Sequence, residues 1–107
     1  MAKNFNLSDF QRGQFYNLSN QTVFDQIIDE KDFSEFYMSK VNFSKCTFTD
    51  TSFQSSRCEG LNFEMCSFTD VSFRKAELEN FIFRNCNFTD TNFGRCELIN
   101  FVFQEAS

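Results

Sequence analysis

The sequence predicts an all-β solenoid whose chain turns a corner every five residues. Two observations support it. From Phe33 onward every fifth residue is apolar: Phe33, Met38, Phe43, Phe48, Phe53, Cys58, Phe63, Phe68, Phe73, Leu78, Phe83, Phe88, Phe93, Leu98 and Phe103, fifteen positions without a slip. Inside that series the octapeptide CTFTDTSF, starting at Cys46, returns as CSFTDVSF at Cys66 and CNFTDTNF at Cys86, 20 residues apart each time.

A period of five fits neither ordinary element. In an α-helix each step of five turns about 500°, which would scatter the Phe residues around the axis. In a strand an odd step sends successive members to opposite faces. Short extended sides joined by corners satisfy both, with the central residue of each side pointing inward. A second series lies two residues earlier, on the same face of each side. It runs Lys31, Phe36, Val41, Cys46, Thr51, Ser56, Leu61, Cys66, Val71, Ala76, Phe81, Cys86, Thr91, Cys96, Phe101, and most members are small or apolar. A large centre with a small companion suits a narrow interior.

Segments such as CTFTD, CSFTD, VSFRK, AELEN and CNFTD resemble the pentapeptide-repeat family, continuously over residues 31–105. The resemblance implies a right-handed quadrilateral β-helix with four pentapeptides per coil, hence about four coils here. Positions 20 apart then stack. Phe48, Phe68 and Phe88 would form the ladder of a first side, and Phe33, Phe53, Phe73 and Phe93 that of a second. Met38, Cys58, Leu78 and Leu98 would line the third, and Phe43, Phe63, Phe83 and Phe103 the fourth. Coils should be about 4.8 Å apart.

The domain division expected is an N-terminal segment, 1–30, followed by the repeats, 31–107. Residues 3–17 read as three repeats in another register, KNFNL, SDFQR and GQFYN, centred on Phe5, Phe10 and Phe15. Phe15 and Phe33 are 18 apart, not a multiple of five, so 18–30 is expected to be a loop or a short cap. At the other end FVFQEAS carries no capping helix, which would leave open Phe ladders and unpaired backbone. Ile82 and Val102 stand at an outward position usually polar in the family, and Phe81 and Phe101 exceed the expected companion size. With Phe103 these residues suggest an end-to-end homodimer.

Composition narrows function mainly by exclusion. The chain has 18 Phe and no His, Trp or Pro. Without His there is no Ser-His or Cys-His pair, and three unclustered Gly make no phosphate cradle. An enzyme is not expected, nor a cofactor. Cys46, Cys66 and Cys86 lack the short CxxC spacing and fourth ligand of a zinc site, so no metal is expected and they read as small hydrophobes. A net charge of −5 argues against direct nucleic-acid binding. No apolar run is long enough to span a membrane, and MAKNFNLSDF shows no signal-peptide core. The expectation is a cytoplasmic protein with reduced cysteines.

Charge supplies the candidate sites. Asp50, Asp70 and Asp90 should form an external column at a corner, with Glu30 prolonging the line. Glu59, Glu77, Glu79 and Glu97 should form a second acidic surface on the third side, with Arg74, Lys75 and Arg95 between the two. Asp also suits turns, so turn chemistry alone is one reading of the column. The resemblance implies another. Family members with a known role include acidic duplex-DNA mimics that protect gyrase. A protein partner that binds DNA, such as a topoisomerase or a phage-defence enzyme, follows from that reading. An adaptor that binds through its sides or edge is the alternative, and a lumenal receptor-type module a third.

Overall fold

The structure, a computed structural model, describes residues 3–107. Why five residues make one side is visible at the corners. Every fifth residue from Asn20 to Glu105 has a φ between 46° and 72°, Gly60 included. This left-handed conformation costs most L-residues roughly 1–2 kcal/mol, less for Asn and Asp, and bulky β-branched side chains avoid it. Of these eighteen corners eight are Asn or Asp, and none is Val, Ile or Thr. Each corner bends one extended side into the next.

Four corners return the chain to its starting side, one coil further along. The resulting ladder is parallel throughout, in strict 20-residue register. Sides three and four run together as β1 (Asn17–Phe24), β3 (Tyr37–Ser44), β8 (Glu77–Arg84) and β10 (Glu97–Gln104). In the coil between β3 and β8, Gly60 divides them into β5 (Arg57–Glu59) and β6 (Asn62–Glu64). Leu18, Met38, Cys58, Leu78 and Leu98 align on side three, and Val23, Phe43, Phe63, Phe83 and Phe103 on side four. Side one is β2 (Ile27–Asp29), β4 (Thr47–Thr49), β7 (Ser67–Thr69) and β9 (Asn87–Thr89). Side two makes only single bridges, Asp32 to Ser52 to Ser72 to Asn92. Its corners are tight turns instead, with the Phe36, Ser56, Ala76 and Cys96 N–H groups donating to the carbonyls of Phe33, Phe53, Phe73 and Phe93. The product is a four-sided β-solenoid.

The interior is made of Phe columns. Consecutive rings stack nearly parallel: Phe43 on Phe63 at 4.7 Å, Phe48 on Phe68 at 4.9 Å, Phe53 on Phe73 at 4.9 Å. Neighbouring columns meet edge to face, as Phe43 meets Phe48 at 5.5 Å and 67°. Each such pair contributes about 0.5–1.5 kcal/mol beyond area burial. Companion residues fill what remains. Bulk migrates along the axis, from Phe36 on side three with Val41 on side four to Ala76 with Phe81, which keeps the interior filled. The polar companions also bond. The Cys46, Cys66 and Cys86 thiols donate to the carbonyls of Val23, Phe43 and Phe63, and the Thr51 hydroxyl donates to those of Thr49 and Ile28. Small hydrogen-bonding side chains therefore suit positions where backbone carbonyls face inward.

One sequence expectation is corrected here. Residues 18–30 are not a loop or cap. Leu18, Val23 and Ile28 are buried centres in phase with Phe33, and β1 and β2 pair with β3 and β4. The phase change falls before Asn17 instead. Phe5, Phe10 and Phe15 also do not head three regular repeats. Phe5 and Phe10 both pack on Phe15 (5.9 and 4.8 Å), and Phe10 stacks on Phe33 at 4.9 Å, 23 residues away rather than 20. Aromatic packing of Phe10 over Phe33 and Phe36, which buries both, outweighs repeat register at this end.

Candidate partner-binding surfaces

The corner after side one carries Glu30, Asp50, Asp70 and Asp90, all exposed and all at positive φ. Their N–H groups are used within the fold: those of Glu30, Asp50 and Asp70 donate to the carbonyls of Thr49, Thr69 and Thr89 at 3.0–3.1 Å. The carboxylates project outward along a shallow groove whose other wall includes Asp32, Ser52 and Ser72. Among the described residues none of the four carboxylates makes an ion pair. Asp32 differs. The Ser34 side chain and backbone bonds, helped by Arg12, hold its carboxyl below the usual range.

Corner geometry alone does not call for this uniformity. After side two the corner reads Glu35, Ser55, Lys75, Arg95; after side three Asn20, Lys40, Gly60, Asn80, Asn100; after side four Asp25, Lys45, Met65, Asn85, Glu105. Lys, Met, Arg and Ser occupy the same backbone conformation as Asp. Stacking like charges one coil apart costs up to about 1 kcal/mol per pair in water, less with salt. An all-acidic column thus goes beyond what the turn requires.

The second acidic surface is on side three, in two rows. Arg57, Glu77 and Glu97 align in one, and Glu59, Glu79 and Ile99 in the other. Arg57 Nε lies 3.3 Å from Glu77 Oε2, an exposed pair of small energetic weight. Together with Tyr37 these side chains rim a hollow over Cys58 and Leu78. The two acidic surfaces are not continuous. Side two separates them, with Arg74 on its face and Lys75 and Arg95 at its corner.

The last coil is the apolar surface. Ile99, Phe101, Val102 and Phe103 are 41–50% exposed, and Ile82 is half-buried behind Val102. Phe81 was expected in the same contact surface and is not there. It is 1% exposed, covered by Phe101 at 5.6 Å and Phe83 at 5.5 Å. Its position two before the centre points it inward, and its large ring is accommodated because Ala76 is small.

Chemistry is sparse. Among the described residues no three or more His, Cys, Asp or Glu side chains are placed to hold a metal ion. All five cysteines are free thiols. Burial pushes the Cys58 thiol up to about 11, and the neighbouring Cys46 and Cys86 thiols, with burial, raise Cys66 as well. Among the described residues no helix is long and apolar enough to cross a membrane. Sequence reasoning missed Asn4, Arg12 and Gln26, which tie the N-terminal segment to the first coil. Stepping the five-residue series back from Phe33 to Ile28, Val23 and Leu18 would have exposed where that segment ends and the regular coils begin.

The fold and its five-residue sides define a pentapeptide β-helix. The family model described as "Pentapeptide repeat region" matches residues 26–103, and the chain belongs to that family. Its fold is similar to the crystal structure of a pentapeptide repeat protein, Rfr23, from the cyanobacterium Cyanothece 51142, with a TM-score of 0.59 at 17% identity over 81% of this chain. The match spans 63% of that protein's length. No curated protein matches the sequence. The right-handed quadrilateral β-helix expected from the repeats is the fold of this family, which is generally a structural and interaction fold.

Proposed function

We propose that the protein is a non-enzymatic, cytoplasmic binding module that presents the Glu30–Asp50–Asp70–Asp90 column to the basic surface of a DNA-binding protein, inhibiting or shielding that protein as a duplex mimic. The observation that carries this is the column's uniform charge, where the corners after the other three sides, in the same backbone conformation, also hold Lys, Met, Ser and Arg. Duplex DNA carries a charge every ~1.7 Å of axis, whereas one column supplies one per ~4.8 Å coil. A single column therefore imitates part of a strand. The Glu59, Glu77, Glu79 and Glu97 surface supplies further charge to a partner that wraps past the basic side two. The largest Cα extent, 28 Å, is below one duplex turn of about 34 Å. A pair joined through Phe101, Val102 and Phe103 would double the imitated length.

The test is capture from the source cell by the parent and by the Asp50→Lys/Asp70→Lys protein. The expected result is a basic DNA-binding protein held by the parent, released by salt and by competing duplex, and absent from the variant. Equal capture by a folded variant rejects the column. The exposed apolar last coil favours a second reading, an adaptor that binds through its edge. In that case Val102→Asp, and not charge reversal, abolishes capture.

A further inference from the structure

The top of the first coil is closed in an unusual way. Elsewhere each coil meets the next through backbone hydrogen bonds in 20-residue register. Between the N-terminal strap, residues 3–16, and the first coil, side chains do much of this work. Asn4 pairs with the Phe24 backbone through both amide atoms, at 2.8 and 2.9 Å. Gln26 Oε1 accepts from the Leu7 and Ser8 N–H groups at 2.8 and 3.0 Å, and its Nε2 donates to the Phe5 carbonyl at 2.7 Å. Arg12 donates to the Ser34 carbonyl and lies 3.9 Å from the Asp32 and Glu35 carboxylates. Phe10 lies over Phe33 out of phase. A further coil adds only where unpaired backbone and in-phase centres face it, and the strap occupies both.

Beneath the strap the register is regular. Leu18, Val23, Ile28 and Phe33 are the centres of sides three, four, one and two. At the opposite end Leu98, Phe103, Phe88 and Phe93 are the centres of the same four sides, and none of them is buried. The two ends are complementary: one coil placed on the other would continue all four columns with the chain running in the same sense. Such a head-to-tail contact does not close on itself and generates open filaments.

We propose that the strap is an end stop that prevents a second copy of this chain from stacking its last coil on the first, with Asn4, Arg12 and Gln26 as its clasp. The test compares the parent with an Asn4→Ala/Arg12→Ala/Gln26→Ala variant by sedimentation velocity over a concentration series, with hydrogen exchange at Phe5 and Leu7 reporting strap release. The parent should not exceed a dimer. The released variant should form species larger than a dimer that grow with concentration, and adding Phe101→Asp and Phe103→Asp should abolish them. A released variant that keeps the parent's mass overturns the proposal, as does growth that ignores the two Asp substitutions. A strap that stays protected shows that the clasp does not hold it, and global unfolding shows that it is part of the folding core; either result also overturns it.

Discussion

Within each copy of the octapeptide two columns repeat with the same spacing for opposite physical reasons. Phe48, Phe68 and Phe88 stack inside at 4.9 and 5.0 Å, with Phe48 and Phe68 wholly buried. Asp50, Asp70 and Asp90 stack outside, exposed and, among the described residues, without an ion pair. The first repetition stabilises the coil, because Phe68 gains a parallel ring above and below and each of the three rings has an edge-on neighbour beside it. The second opposes it, because like charges are set one coil apart. Repetition in a solenoid is therefore no sign of function by itself. What distinguishes the columns is whether the fold benefits: Asp suits the left-handed corner, but its stacked charge works against the coil.

Breaking the inner column should have the largest effect. Phe68→Ala removes a ring held between Phe48 and Phe88 in a wall that cannot collapse without disturbing two coils. Equilibrium urea unfolding should show a loss of about 3–5 kcal/mol. An effect below 1 kcal/mol would mean that the columns are loosely packed.

The interior also sets a pH dependence. The folded-state pKa of Cys58 is raised to about 11 by burial, while an unfolded thiol ionises near 8.5. Between those values the unfolded chain has lost a proton that the folded chain keeps, so stability falls as pH rises. Unfolding free energies from urea titrations should decline from about pH 9 to 11, by up to about 1.4 kcal/mol per pH unit from this thiol. Cys58→Ala should flatten part of that slope. An identical slope would assign it to other groups.

Most of the fold could be read from the sequence, because a five-residue period leaves a chain few other ways to bury its Phe. The 20-residue echo then placed each ladder, and the two acidic surfaces fell on the expected corner and side. The N-terminus was misread for a specific reason. Phe5, Phe10 and Phe15 imitate the five-residue spacing, while the true continuation uses Leu18, Val23 and Ile28. Aromatic identity was followed where apolar phase should have been. Phe81 was misplaced similarly: size suggested a contact surface, while its place two before a centre points it inward. The clasp of Asn4, Arg12 and Gln26 was not legible, since side-chain amides that replace backbone partners leave no periodic mark.

The claim that the Asp column serves a partner rather than the fold has a direct measurement. The Asp50→Asn/Asp70→Asn/Asp90→Asn protein keeps residues that tolerate the left-handed corner and removes the repulsion, whereas Asp70→Ile leaves most of the charge and should lose about 1–2 kcal/mol at the corner. Urea unfolding at low salt should find the triple Asn protein as stable as the parent or more so, by up to about 1 kcal/mol per relieved pair, with the gain shrinking as salt is added. A loss of more than about 1 kcal/mol at low salt, comparable with a lost hydrogen bond, would show that the carboxylates hold the corners together, and would contradict the account.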